Sequence, residues 1–237
     1  MSLPSGFTYL PAVFDRATSA AHLDALIGEL AWEEQRFTIY GRQVPMPRLI
    51  AMYGPVGYRY SGVVHPPRSL TPRLGEIRAT VEAVSGLAFN SVLANLYRDG
   101  RDSVGWHRDS DYEHGGQPAI ASVSFGAARR FQLRADGGRA RAAIDLEPGS
   151  LLLVQGDAVA RWWHCVPKMT REVGPRVNLT FRHMASEGEL RSRRRGSSGI
   201  GSGAEGPANV PGARAESGVP AGGSGSAVHE LDADRQY

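Results

Sequence analysis

The spacing of apolar residues changes character along the chain. Near the start, Leu23, Leu26, Ile27 and Leu30 recur at helical spacing and predict a helix beginning near Thr18 or Ser19. A second helix has punctuation at both ends: Thr71 as N-cap, Pro72 at the first helical position and Gly86 past the end. Between them Leu74, Ile77, Val81 and Val84 form its apolar stripe. From Asn90 onward the period shortens to two. Val92–Tyr97, Ile120–Phe125, Phe131–Leu133, Leu151–Val154 and Val177–Phe181 read as short strands, most of them separated by turn signals such as Asp99-Gly100, Gly115-Gly116, Asp136-Gly137-Gly138 and Pro148-Gly149. Short strands in this number predict a mainly β (α+β) fold, a sandwich or jelly roll with the N-terminal helices packed outside.

Composition sets the boundary of that fold. Beyond Ala185, residues 186–237 hold 11 Gly and 8 Ser and one aromatic, Tyr237. Such a stretch buries too little apolar area to offset the entropy of ordering it, so one domain is expected over 1–185 and a disordered tail over 186–237. A single cysteine excludes a disulfide-stapled scaffold and a Cys-rich zinc module. No apolar run approaches the roughly 18–20 residues that cross a bilayer, and the first residues lack the pattern of a signal peptide. The expectation is a monomer without membrane contact, cytoplasmic in a bacterium and nuclear in a eukaryote.

Charge then singles out one region. The whole chain carries a net +3. Residues 36–78 hold seven arginines against Glu76, a net of +6, while 196–237 carries −3. A basic segment of this kind suits a polyanion, and equally a solvated surface.

The candidate chemistry lies in three places. His107-Arg108-Asp109 puts an imidazole and a carboxylate two residues apart, on one side of an extended chain. His164 follows later, within Trp162-Trp163-His164. Two neutral imidazoles and one carboxylate with open positions opposite make the 2-His-1-carboxylate set of non-haem Fe(II) oxygenases. The third place is Arg176-Val177-Asn178-Leu179-Thr180-Phe181-Arg182, which alternates without a break. Its polar members, Arg176, Asn178, Thr180 and Arg182, would share one strand face, with the two arginines about 20 Å apart along the chain. That face could line a cavity and clamp a dianion through bidentate arginine, or it could be an outer face exposed to water.

Together these residues resemble the AlkB family of Fe(II)/2-oxoglutarate dioxygenases, and the members that repair alkylated DNA most of all. The resemblance extends through Asn95-Leu96-Tyr97-Arg98-Asp99-Gly100, Ala119–Gly126 and Pro175–Arg182, and covers roughly residues 35–184. It implies a double-stranded β-helix core, a relative of the jelly roll. It implies iron held by His107, Asp109 and His164, with 2-oxoglutarate bonded by Asn95 and Tyr97. Arg176 would pair with the distal carboxylate, and Asn178 and Arg182 would help hold the metal-bound end.

The resemblance also gives the basic segment a role. Pro47-Arg48 through Tyr53-Gly54 and Tyr58-Arg59-Tyr60-Ser61-Gly62 are similar to the family's nucleotide-recognition lid, placed at about 36–65. Tyr60 would stack on a flipped base, Tyr58 would contact the lesion nucleotide, and Arg48 and Ser61 belong to the same surface. Ile39-Tyr40-Gly41 falls where duplex-acting members carry an aromatic finger that fills the gap left by the flipped base. Asp111 falls where the family has an acid near the target base. The implied reaction is oxidative dealkylation of 1-methyladenine and 3-methylcytosine, extending to etheno adducts, at Fe(II), with 2-oxoglutarate and O2 consumed and formaldehyde, succinate and CO2 released. The same chemistry on RNA or a protein side chain, and a silent nucleic-acid-binding module, are the alternatives. Of the remaining residues, His22, His65 and His229 are expected at the surface and His114 in a loop. His183 should point away from the Arg182 side, Cys165 should be a small buried residue, and Trp162 and Trp163 should be wall and core. Trp106 has no account at this level.

Overall fold

The computed structural model describes residues 3–39, 41–60, 63–109, 118–138 and 141–185, with the backbone alone at 37, 39, 58–60 and 63–65. The expected tail, 186–237, and the residues Tyr40, Ser61, Asp111 and His114 lie outside the described residues.

The chain opens with β1 (Phe7–Leu10) and α1 (Arg16–Glu29). Two hairpins and a strand follow: β2 (Arg36–Ile39) with β3 (Arg42–Pro45), then β4 (Leu49–Tyr53), then β5 (Tyr58–Tyr60) with β6 (Val63–His65). After α2 (Pro72–Ser85) come β7 (Ser91–Tyr97), β8 (Val104–His107), β9 (Ala119–Gly126), β10 (Arg129–Ala135), β11 (Arg141–Leu146) and β12 (Leu151–Gln155). A one-turn helix, α3 (Ala158–Arg161), leads into β13 (Trp162–Val166), and β14 (Arg176–Arg182) ends the described fold.

From β7 onward the chain crosses back and forth between two antiparallel sheets. The larger has the order β1-β12-β9-β14-β7-β4 and the smaller β11-β10-β13-β8. This is the double-stranded β-helix expected from the sequence, with α1 and α2 packed outside it. The period-2 alternation explains how the larger sheet serves two masters. On β14, Val177, Leu179 and Phe181 join Leu26, Leu74, Ile77 and Val81 of the two helices in one core. Val92, Ala94 and Leu96 of β7 and Ala121, Val123 and Phe125 of β9 share that face. The alternate positions, among them Asn95, Tyr97, Ser124, Arg176, Asn178 and Arg182, therefore face the interior between the sheets. All seven residues of β14 are buried, which excludes an outer face for its polar row.

Capping follows the sequence closely at α2. The Thr71 hydroxyl accepts from the Leu74 N–H, and Gly86 caps the end at φ 69°, a left-handed conformation that glycine adopts without penalty. The buried stripe stops at Val81, since Val84 is 48% exposed. α1 begins earlier than Thr18 or Ser19. Asp15 is its N-cap, and its carboxylate accepts from the Thr18 N–H at 2.7 Å. His22 is not a surface residue: it is buried, with its ring 5.4 Å from Phe14 and 5.2 Å from Phe125. No helix among the described residues is long and apolar enough to cross a membrane.

Candidate active site

Three donors meet between the sheets. His107 ends β8 and His164 sits in the middle of β13, and the two are direct cross-strand partners. Antiparallel pairing thus brings together two imidazoles far apart in sequence, their ring centroids 4.1 Å apart. Asp109, two residues beyond His107, completes the group, with one ligand atom from each residue lying within 4.8 Å of the others. The Asp109 Oδ2 is 3.4 Å from His164 Nε2, and its Oδ1 accepts from Arg182 Nη2 at 2.7 Å.

Burial fixes the protonation of this group. Loss of water pushes the His107 ring down to about 3, helped by the neighbouring His164. Burial also lowers His164, against the pull of Asp109. His107 Nδ1 lies 2.9 Å from the Gly105 carbonyl, so in the neutral ring Nδ1–H donates there and the Nε2 lone pair is presented inward. Neutral imidazoles and an ionised carboxylate are the ligand set that a divalent iron requires. The donor set fits the metal.

The second half of the site lies on the larger sheet. Arg176 is about as deeply buried as any residue in the structure, at 1% exposure. Its Nη2 donates to the Ser124 hydroxyl at 2.9 Å, and its guanidinium carbon is 5.1 Å from the Tyr97 ring. Among the described residues its Nε and Nη1 have no hydrogen-bond partner. Unpaired buried donors of this strength are costly, and burial pulls the group down to about 10, with attraction to Tyr97 opposing the shift. The side chain stays cationic at neutral pH. A carboxylate is an acceptor that such unpartnered N–H donors can use, so the residues fit 2-oxoglutarate too.

The remaining expected residues fall into three groups. Asn95, Tyr97, Arg176 and Asn178 are brought together by register, Asn95 opposite Asn178 and Tyr97 opposite Arg176. The Asn178 amide donates to Ser122 Oγ at 2.8 Å and to the Val123 carbonyl at 3.0 Å, while Thr180 donates to its Oδ1. Arg48 is buried at 6%, with Nε donating to Asn95 Oδ1 at 2.9 Å. It therefore reaches inward from just before β4 to Asn95 of β7. Tyr58 and Tyr60 lie on β5, opposite His65 and Val63 of β6, with their side chains outside the description. The β2–β3 hairpin pairs Ile39 with Arg42 and has Gly41 at φ 75° in its connection, beside the candidate finger position.

Two features were not legible as function in the sequence. Ser122 and Ser124 of β9 hold Asn178 and Arg176 in place. Their signal was parity, since both alternate with the core residues Ala121, Val123 and Phe125. Trp106 and Trp163 alternate with the two metal-facing histidines and lie on the outer side of the smaller sheet. There Arg134 stacks over both rings, at 4.8 and 5.6 Å, and Arg108 over Trp163 at 4.6 Å. Trp163 is thus a guanidinium platform, not core.

The sequence matches the 2OG-Fe(II) oxygenase superfamily over residues 6–182. It is 38% identical over 170 residues to the alpha-ketoglutarate-dependent dioxygenase alkB homolog 3 of Mus musculus, covering 68% of this chain and 59% of that protein. It is also 38% identical over 179 residues to the DNA oxidative demethylase ALKBH2 of Mus musculus, covering 68% of this chain and 75% of that protein. The chain thus spans less than two thirds of the length of the first of these relatives. The solved structure of OsALKBH1 is similar in fold, with a TM-score of 0.57 at 17% identity, covering 77% of this chain and 100% of that one.

Proposed function

This chain belongs to the AlkB family of the 2OG-Fe(II) oxygenase superfamily, and from that premise we propose that it repairs DNA by oxidative dealkylation of N-alkylated bases. The observation that carries the reading is that Arg182, bonded to Asp109 of the His107–Asp109–His164 group, shares its face of β14 with Arg176, whose buried Nε and Nη1 have no hydrogen-bond partner among the described residues. Bound iron, 2-oxoglutarate and O2 would supply a two-electron oxidation of the N-alkyl carbon, which then leaves as formaldehyde, with succinate and CO2 as co-products. The substrates proposed are 1-methyladenine and 3-methylcytosine, with etheno adducts, whose two-carbon bridge would leave as a dialdehyde instead, as an extension.

The protein's own part is positional. His107 and His164 present neutral ring nitrogens to the metal. Arg182 holds Asp109 by Oδ1 and leaves Oδ2 turned toward His164. Arg176, braced by Ser124, takes the distal carboxylate of 2-oxoglutarate, with Tyr97 beside it. Asn178, braced by Ser122 and Val123, keeps that strand face in register. Arg48 carries positive charge to Asn95 and toward His107. A base must leave its stack to reach a site this enclosed, which assigns Tyr58, Tyr60 and Ser61 of the lid at about 36–65, with Asp111, to holding a flipped nucleotide. Methylation at a ring nitrogen leaves adenine or cytosine cationic, and the Asp111 carboxylate suits that charge. The catalytic domain is proposed as 1–185, acting as a monomer, in the cytoplasm of a bacterium or the nucleus of a eukaryote.

The test is formaldehyde release after anaerobic loading with Fe(II) and 2-oxoglutarate and admission of O2. Matched 1-methyladenine oligonucleotides in single-stranded DNA, duplex DNA and RNA are compared with a methylated peptide. Release from DNA is expected, and activity confined to RNA or peptide would overturn the DNA reading. Tyr40→Ala should impair the duplex reaction selectively, whereas an equal loss on single strands would remove the finger assignment.

A further inference from the structure

Arg129 is as deeply buried as Arg176, at 1% exposure, yet it touches none of the three metal-facing donors. It begins β10, and its parity with Phe131 and Leu133 turns it inward while its neighbour Arg130 is exposed. Its guanidinium bonds to three backbone carbonyls. Nη1 donates to Asp99 at 3.2 Å, and Nη2 donates to Asp102 at 2.7 Å and to Pro167 at 2.8 Å. Its guanidinium carbon lies 5.4 Å from the Tyr97 ring, the ring that Arg176 also faces.

The three carbonyls come from two connections, and both have the same character. Residues 98–103 run from Tyr97, at the co-substrate end, to β8 and His107. Residues 167–175 run from β13 and His164 to Arg176. Each connection therefore joins one metal residue to one co-substrate residue, and Arg129 bonds to both. The connections also meet directly, with the Met169 N–H donating to the Gly100 carbonyl at 2.7 Å. Gly100 is packed so closely there that an added Cβ would lie 3.0 Å from the Arg171 carbonyl. Asp102, which might have neutralised Arg129, is instead held bidentately by Arg98 at 2.8 and 2.9 Å. Two buried cations thus flank Tyr97, and among the described residues neither forms an ion pair with a carboxylate.

We propose that Arg129 is a positioning residue for 2-oxoglutarate: it locks the two connections at a fixed separation, sets the Tyr97 ring against Arg176, and adds a second positive charge behind the dianion's binding end. The proposal rests on the reading of Tyr97 and Arg176 as the co-substrate end. A planar fork can serve three carbonyls at once, which an ammonium on a flexible stem cannot, so lysine is not an equivalent.

Calorimetric titration of the full chain with Mn(II), then of the Mn(II) form with 2-oxoglutarate without O2, separates the two ligands. R129K should weaken 2-oxoglutarate about tenfold and R129Q more, since charged hydrogen bonds and sub-ångström placement are both lost. Mn(II) affinity should change by less than about threefold, because His107 and His164 are registered by their own strand pairing. R129K binding 2-oxoglutarate as tightly as the unaltered chain would overturn the proposal, as would equal losses for both ligands. Failure of the unaltered Mn(II) form to bind 2-oxoglutarate would instead overturn the reading of the pocket itself. Hydrogen exchange on the unaltered protein decides the matter should neither variant fold. Addition of 2-oxoglutarate should raise protection in residues 99–103 and 167–171 together, and protection of one segment alone would refute the coupling.

Discussion

At the scale of single residues, the site is defined by side chains whose hydrogen-bonding capacity exceeds what the protein uses. Arg176 has Nη2 bonded to Ser124, while its Nε and Nη1 have no hydrogen-bond partner among the described residues. That surplus is the measure of how much a bound carboxylate can gain. Arg176→Met should therefore weaken 2-oxoglutarate by about 1.5–3 kcal/mol, roughly 10- to 100-fold in KM, the range for hydrogen bonds to a charged group. The KM for the nucleic acid should stay near its original value, and steady-state kinetics with each substrate varied in turn checks both. The unbroken alternation around Arg176 marked a polar strand face in the sequence but left open whether that face was buried, which the structure answers. Arg48 was read as a substrate-binding residue of the lid, and nothing in its local sequence says that it turns inward just before β4 to meet Asn95 from β7. That contact spans 47 positions and is a property of the sheet, not of the segment. His22 was misread for a related reason. Its helix is only weakly amphipathic in sequence, and its burial depends on Phe14 and Phe125, which are brought to it by the fold.

At the scale of elements, the two helices anchor the outer face of the larger sheet, and their junction carries a pH dependence. His22 of α1 lies 3.4 Å from Arg73 Nη1 of α2, and Arg73 also pairs with Glu29 at 3.4 Å. Burial, with Arg73 as the next cause, lowers the His22 pKa below its ordinary 6.5, while Glu76 and Glu29 oppose the shift. Below pH 6.5 the unfolded chain then takes up a proton that the folded chain refuses, so stability falls as pH drops toward the lowered value and is fully present above 6.5. His22→Gln keeps an acceptor for Arg73 and removes the titration. Urea unfolding midpoints at pH 7.5 and 5.5 should converge partly in this variant, the remainder belonging to His107 and His164 in the metal-free protein. An undiminished pH drop would count against the assignment. Element identity was easy to read where capping or strict alternation marked it, as in α2 and β14. The strands that carry the histidines, β8 and β13, are short and half-buried, and their tryptophans obscured the alternation that placed His107 and His164 inside.

At the scale of the whole molecule, ligand binding and fold stability draw on the same strands. A ligand that binds only the folded chain adds about 2.7 kcal/mol at about 100 times its Kd, and Mn(II) and 2-oxoglutarate should each act in this way. A melting-temperature rise of about 5–10 °C per ligand follows for a domain of this size, and His107→Ala should abolish the Mn(II) increment when measured by scanning calorimetry. The order in which the larger sheet is assembled has a further consequence, for synthesis. β14 is the last strand of the described fold, yet it lies between β9 and β7 in the middle of the sheet. Until a ribosome has released it, the sheet exists as two halves, β1-β12-β9 and β7-β4, whose facing edges are open to other chains. Arg176, Asn178 and Arg182 arrive on that same strand. A nascent chain that has made β12 therefore lacks the strand that joins the two halves until β14 follows, and chaperone dependence should be concentrated in the interval before β14 emerges.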